Sequence, residues 1–125
     1  MGYQLGNKSR ERLQGVHPDL VAVVERAIEI SEQDFSVAEG LRSIDRQHEL
    51  YNTGRSKTLK SRHLTGHAVD LFPYPVSWDW EYYYPIANAM KAAAEQLGVD
   101  LEWGGDWKSF PDGPHFQLSW ERYPK

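Results

Sequence analysis

The sequence predicts an α+β domain in which helices pack on one face of a small, mostly antiparallel sheet. Three observations lead there. Two segments carry apolar residues at helical spacing, several runs of three to five residues read as short strands, and 125 residues suit one domain rather than two. No repeat, low-complexity tract or linker divides the chain, so residues 1–125 are read as a single unit.

The first helix is expected over residues 18–31. Pro18 fits the first helical position, where its missing N–H costs nothing. Val16 and Val21 are spaced as a hydrophobic staple, and Leu20, Val24, Ala27 and Ile28 form one apolar stripe. His17 falls at the cap position and is read as structural. Residues 35–38 alternate as a short strand leading to Gly40 and Arg42. Ser43 caps a second helical stretch to Tyr51, with Ile44, Gln47, His48 and Tyr51 on one face. Residues 52–61 are polar and read as a long loop, carrying most of the basic cluster Arg55, Lys57, Lys60 and Arg62.

Residues 68–72 form a buried strand in which Asp70 points away from Val69 and Leu71, and Pro73 and Pro75 end it. The aromatic run 78–84 packs a loop over the domain before a helix begins near Pro85. Ile86, Met90, Ala93 and Leu97 repeat along that helix, and Gly98 stops it. Residues 101–103 are a further strand, 104–107 a turn, and 116–118 the last strand, directly after His115.

Composition removes several function classes. There are no cysteines, so neither disulfides nor a cysteine-ligated zinc holds the fold. The net charge of −4 argues against nucleic acid as the main partner. The N-terminus has no signal-peptide pattern, and no stretch approaches the ~20 apolar residues of a membrane span. The basic cluster reads first as a solvated loop, and second as an attractor of anionic substrate.

Any metal must therefore be held by His, Asp or Glu. His63 and Asp70 bracket a tight segment around Gly66 and Ala68, small residues that let backbone approach closely. His115 follows an Asp-Gly-Pro turn. Two imidazoles and one carboxylate can hold a zinc ion with one position left for water, the arrangement of a catalytic rather than a structural zinc. A rival pair is His63 and His67, four apart, but the helical zinc-peptidase motif needs Glu after the first His, and Leu64 stands there. Composition alone leaves several ligand sets open. In the hydrolytic reading Asp112 is the base that takes a proton from water, and Arg42 stabilises the oxyanion.

Four stretches, Gly40-Leu41-Arg42-Ser43 with Gln47, Ser61 through Asp70, Trp103-Gly104-Gly105-Asp106-Trp107 and Asp112-Gly113-Pro114-His115-Phe116, together resemble the zinc D-Ala-D-Ala carboxypeptidase/VanY family. Within it they are most similar to the phage endolysins that act as L-alanyl-D-glutamate peptidases. The likeness runs from about Leu5 to Leu118. It implies Zn²⁺ bound by His63, Asp70 and His115, Asp112 as base, and Arg42, Gln47 and Ser61 lining the substrate cleft. Arg42 would hold a substrate carboxylate or the oxyanion. No role carries over to His67, and that of Asp106 is open.

The expected function is a zinc-dependent endopeptidase that lyses bacterial walls by hydrolysing the L-alanyl-D-glutamate bond of peptidoglycan. The alternatives are a D,D-carboxypeptidase or D,D-dipeptidase with the same zinc chemistry, or a non-catalytic binding module that keeps the fold. The enzyme is expected to be a monomer with no separate wall-binding domain, no nucleic-acid partner and no membrane insertion. It would stay in the host cytoplasm until a separate holin releases it to the wall. Substrate grip would come from the basic loop and from aromatics such as Trp107.

Overall fold

The computed structural model describes residues 2–56, 61–109 and 111–124. In chain order the elements are α1 (Asn7–Arg12), α2 (Pro18–Ile30), β1 (Phe35–Glu39), α3 (Ile44–Asn52), β2 (Ala68–Pro73), α4 (Tyr83–Leu97), β3 (Leu101–Trp103) and β4 (His115–Leu118). Short 3₁₀ turns lie at Arg62–Thr65, Trp80–Tyr82 and Gly104–Asp106. The four strands form one antiparallel sheet in the order β1-β2-β4-β3, as the α+β reading expects.

The pleat divides the sheet into two chemistries. Val69 and Leu71 of β2 and Phe116 and Leu118 of β4 are buried in the apolar core. Asp70, Phe72, His115 and Gln117, alternating with them, leave the opposite face. Leu20, Val23, Val24 and Ala27 of α2 and Ile86, Met90 and Ala93 of α4 join that core. The two long helices thus cover one face and leave the other to polar groups.

Caps and breakers fall largely where the residues place them. His17 caps α2 through its ring, whose Nδ1 accepts the Asp19 N–H at 3.0 Å. The Ser43 hydroxyl accepts the Arg46 N–H at the start of α3. Gly98 ends α4 in the left-handed region, at φ 70°.

Several expectations need correction. Helix α4 begins at Tyr83, two residues before Pro85, which sits in the first turn where a missing N–H leaves no bond broken. Leu97 at its far end is exposed. The inward face of α3 is Gln47 and Leu50, whereas Ile44 and Tyr51 are 67% and 45% exposed. A short polar helix offers too weak an apolar stripe to orient it. The strands also run further than expected, β1 to Glu39 and β4 from His115 itself.

Helix α1 was not expected at all, because Asn7–Arg12 has no apolar face and no side-chain cap. Its place comes from tertiary contacts along the free edge of β1. The buried Ser9 hydroxyl accepts the Val37 N–H at 2.9 Å, and Arg12 donates to the Val37 carbonyl at 3.0 Å. The helix thereby satisfies an edge strand that would otherwise be open to pairing.

Candidate metal centre and active-site cleft

Asp70 and His115 are register partners across β2 and β4, so their side chains leave the polar face of the sheet side by side. His63 reaches them from the turn Arg62–Thr65. The Ser61 hydroxyl accepts the His63 N–H at 3.2 Å at the head of that turn. Gly66 closes it at φ 75°, where a Cβ would also lie 2.4 Å from the Gly15 carbonyl oxygen. Only glycine meets both demands.

The three side chains converge on one point. His63 Nε2 is 3.3 Å and His115 Nδ1 3.2 Å from the same oxygen, Asp70 Oδ1. One ligand atom from each residue lies within 4.8 Å of the others. The opposite nitrogen of each ring is already engaged. His63 Nδ1 is 2.8 Å from the Gly40 carbonyl oxygen, which only accepts, so Nδ1 carries the proton and Nε2 presents a lone pair. His115 Nε2 is 2.8 Å from Gln117 Oε1. That amide is oriented by Glu102, its cross-strand partner, whose carboxylate accepts from Gln117 Nε2 at 3.4 Å. His115 Nε2 is therefore the donor, and Nδ1 faces Asp70 with its lone pair.

Neutral rings held in this way aim two lone pairs at one carboxylate oxygen. Three electron-rich atoms in mutual contact repel unless a cation lies among them, so the donor set fits a metal ion. A proton is the other way to relieve the repulsion. Burial pulls His115 down, but the Asp70 hydrogen bond and charge outweigh it and raise its pKa. Burial likewise pushes Asp70 up, yet bonds to His115 and His63, and their charges, hold it far below the ordinary carboxylate range.

The loop bearing Asp112 is fastened to the turn Gly104–Asp106. The Asp112 N–H donates to the Gly104 carbonyl at 2.9 Å, and the His115 N–H to the Asp112 carbonyl at 3.2 Å. Trp103 Nε1 donates to the Gly113 carbonyl at 2.7 Å. A Cβ on Gly104 would stand 2.4 Å from the Asp112 carbonyl oxygen, so this contact requires glycine. Burial raises the Asp112 pKa and the charge of Asp70 adds to it, against the pull of His115, His63 and Arg42.

Arg42 is fixed from several sides. Glu39 accepts from its Nε at 3.0 Å and from its Nη2, Gln47 Oε1 from Nη1 at 2.6 Å, and the Ser61 hydroxyl from Nη1 at 3.5 Å. Arg42 Nη2 is 3.9 Å from Asp70 Oδ2. Glu39 reaches this position because β1 changes register between Val37 and Glu39, so that Glu39 rather than Ala38 lies opposite Asp70. Such a bulge re-aims a side chain.

A cleft of about 870 Å³ opens over these groups, with Arg42, Ser61, His63, Asp70, Asp112 and His115 on its walls. Gln47 does not line it: the residue is wholly buried one layer back and bonded to Arg42 and Ser56. His67 stands apart from the three-residue cluster, its Nδ1 2.7 Å from the Thr65 hydroxyl and its ring beside His17. Asp106 pairs with Lys91 at the surface, 2.8 Å away. Trp107 lines the cleft with its ring 5.2 Å from that of His115.

The basic cluster divides. Arg55 lines the cleft. Arg62 is buried, donates through Nη2 to the carbonyls of Leu118, Ser119 and Tyr123, and stacks 3.9 Å over the Trp120 ring. Lys57 and Lys60 lie outside the described residues. Sequence reasoning missed Glu39, Glu102 and Gln117. Gln117 was within reach, since it stands two residues from His115 on one strand and so shares its face.

Known proteins align with this chain over two thirds of its length or more. Residues 1–118 match the family described as phage L-alanyl-D-glutamate peptidase. The L-alanyl-D-glutamate peptidase of Escherichia phage T5 is 33% identical over 90% of this chain and 87% of its own length. The peptidoglycan L-alanyl-D-glutamate endopeptidase CwlK of Bacillus subtilis is 32% identical over 68% of this chain and 60% of its own. The crystal structure of Serratia marcescens L-Ala D-Glu endopeptidase ChiX superposes with a TM-score of 0.91 at 54% identity, covering 95% of this chain and 92% of that one.

Proposed function

We infer the chemistry from one premise: this chain belongs to the phage L-alanyl-D-glutamate peptidase family. It is a peptidoglycan endopeptidase that hydrolyses the L-alanyl-D-glutamate bond. The resident metal is zinc, held by His63, Asp70 and His115. The observation that carries this is the pair of outward hydrogen bonds, to Gly40 and to Gln117, that leave both inner nitrogens as lone pairs beside Asp70. A nitrogen, nitrogen, oxygen donor set of three protein ligands is that of a catalytic zinc.

When bound, zinc supplies Lewis acidity, lowering the pKa of water towards neutrality. Asp112 takes the proton from the water that adds to the L-alanine carbonyl carbon. As the C–N bond breaks, Asp112 returns that proton to the departing D-glutamate nitrogen, and the new L-alanine carboxylic acid gives its remaining proton to the freed amine, leaving a carboxylate and an ammonium. Arg42, with its donors committed to Glu39, Gln47 and Ser61, acts as a fixed positive charge for the oxyanion or a substrate carboxylate. Ser61 borders the cleft, and Gln47 supports Arg42 from behind.

Among the described residues no helix is long and apolar enough to cross a membrane. The enzyme works as a monomer, waits in the host cytoplasm, and reaches the wall through an opening made by a separate holin.

Elemental analysis of the purified protein, with mass spectrometry of digested peptidoglycan, tests the proposal. Expected are about one zinc per chain, digestion lost on chelation and restored by zinc, and products with a new L-alanine carboxylate and a new D-glutamate amine. Digestion that persists after complete zinc removal would overturn the zinc assignment. Release of free D-alanine alone would overturn the bond.

A further inference from the structure

The segment after β2 exposes a large apolar ring at the edge of the cleft. Trp78 is 71% exposed, yet it is held in place. Its ring meets that of Phe72 edge-on at 5.0 Å, and Phe72 leaves β2 on the same face as Asp70. The Tyr83 hydroxyl donates to the Ser77 carbonyl at 2.8 Å, which ties the segment to α4. Trp78 and Asp112 line both the metal cleft and a second hollow of about 220 Å³, walled further by Trp80, Tyr83 and Pro111. The two spaces share Trp78, Pro111, Asp112 and Pro114 as walls.

The cleft has two unlike ends. Away from Phe72, on and just after α3, which follows the Glu39 end of β1 opposite Asp70, the wall carries the cationic side chains Arg46 and Arg55. At the Phe72 end lies the exposed indole, and among the described residues no cation stands on the wall of the second hollow. An extended substrate centred on His63, Asp70 and His115 meets positive charge on one side and aromatic surface on the other.

We propose that the Trp78 hollow is a sugar subsite that takes the N-acetylmuramic acid ring carrying the stem peptide. This rests on the reading of the chain as an L-alanyl-D-glutamate peptidase. In that substrate L-alanine is joined by an amide to the lactyl arm of muramic acid, so a single residue separates the scissile carbonyl from the sugar's arm. At about 3.3–3.6 Å per extended residue, the ring must lie close to the reacting bond whenever the intact wall is cut. It carries no free carboxylate there, and its C–H face suits an indole. Beyond the bond come the carboxylates of D-glutamate and of the residues after it, which suit the arginine end. Charge therefore fixes the direction of the chain in the cleft and puts the sugar at Trp78.

The test compares a disaccharide-linked stem peptide with the N-acetylated peptide of the same sequence lacking sugar, using wild type, Trp78→Ala and Trp78→Tyr. The wild type should favour the sugar-bearing substrate. Trp78→Ala should shrink that advantage about fivefold through KM, the size of one aromatic contact, and Trp78→Tyr should restore most of it. The free disaccharide should compete weakly with the wild type and less with Trp78→Ala. Equal KM values for the two substrates in the wild type would overturn the subsite. So would a Trp78→Ala loss of the same size on both substrates, which would assign the indole to the peptide. A wild type that cleaves neither substrate would sink the peptidase reading itself, an outcome separable from both. Circular dichroism and zinc content matching wild type, with the tyrosine rescue, show that the alanine variant is folded.

Discussion

Gln117→Ala probes the network that would present His115 to the proposed zinc. The change removes the oxygen 2.8 Å from His115 Nε2 and leaves that N–H without its partner in a residue only 7% exposed. An unsatisfied buried donor costs about 1–3 kcal/mol. Losing the outer partner of a metal-bound imidazole costs about 10–100-fold in affinity, which corresponds to roughly 1.4–2.8 kcal/mol, so the two estimates agree. Zinc affinity measured against a competing chelator should fall by that factor. Glu102→Gln should cost less, about tenfold or below, because a second amide relaxes the orientation of Gln117 without removing its oxygen. Glu102 acts on His115 only through Gln117, so adding Glu102→Gln to Gln117→Ala should lower affinity no further. Zinc affinity within twofold of wild type in Gln117→Ala, or additive losses in the double variant, would refute the chain from Glu102 to Gln117 to His115.

Asp112→Asn should bind zinc as the wild type does and lose about 10²–10⁴-fold in kcat, the usual worth of a positioned acid–base group; turnover near wild type would assign the base elsewhere. Gly104→Ala sets a Cβ 2.4 Å from the Asp112 carbonyl oxygen, a backbone atom that cannot swing aside. It should lower stability by about 1–3 kcal/mol and reduce kcat/KM by displacing Asp112, whereas unaltered activity would show that the turn does not position the base. His67 has its pKa lowered by burial and by the charges of Arg62 and His17. Below the unfolded value of about 6.5 the unfolded chain takes up a proton that the native ring resists, so stability falls as pH drops through that value. The stability difference between wild type and His67→Asn, from denaturant unfolding at several pH values, should shrink on acidification; a constant difference would contradict the assignment.

The sequence made the site legible wherever the information is local. Pro18, Ser43 and Gly98 mark helix ends by their own chemistry, and Asp70 opposes Val69 and Leu71 by the pleat alone. The three candidate ligands fall in two stretches, His63 and Asp70 in one and His115 in another some forty-five residues on, so their convergence followed from the family resemblance rather than from spacing. What stayed hidden depends on pairing. Glu39 shares a face with Asp70 only because of a register change that Phe-Ser-Val-Ala-Glu does not announce. Glu102 gains meaning only once β3 is laid against β4. Helix α1 exists because Val37 needs partners along an open edge, and nothing within Asn7–Arg12 says so. Arg62 read as a charge facing solvent, because a solvated cation and one folded beneath three carbonyls look alike in sequence.

The candidate metal site and the hydrophobic core are two faces of a single register. Val69 pairs with Phe116 on the core side, and Asp70 with His115 on the polar side. A slip of one residue by β4 against β2 would turn β4 over, sending His115 and Gln117 into the apolar layer and Phe116 and Leu118 into the cleft while Asp70 kept its place. Burial of Val69, Leu71, Phe116 and Leu118, each about 1.5–3 kcal/mol, therefore sets the ligand geometry before any ion binds. The site is preorganised by groups that never touch it. It follows that the lone-pair repulsion around Asp70 cannot be relieved by shifting the strands, because the core holds them. Relief has to come from a cation or a proton, and that constraint is why this face of the sheet fits a metal ion.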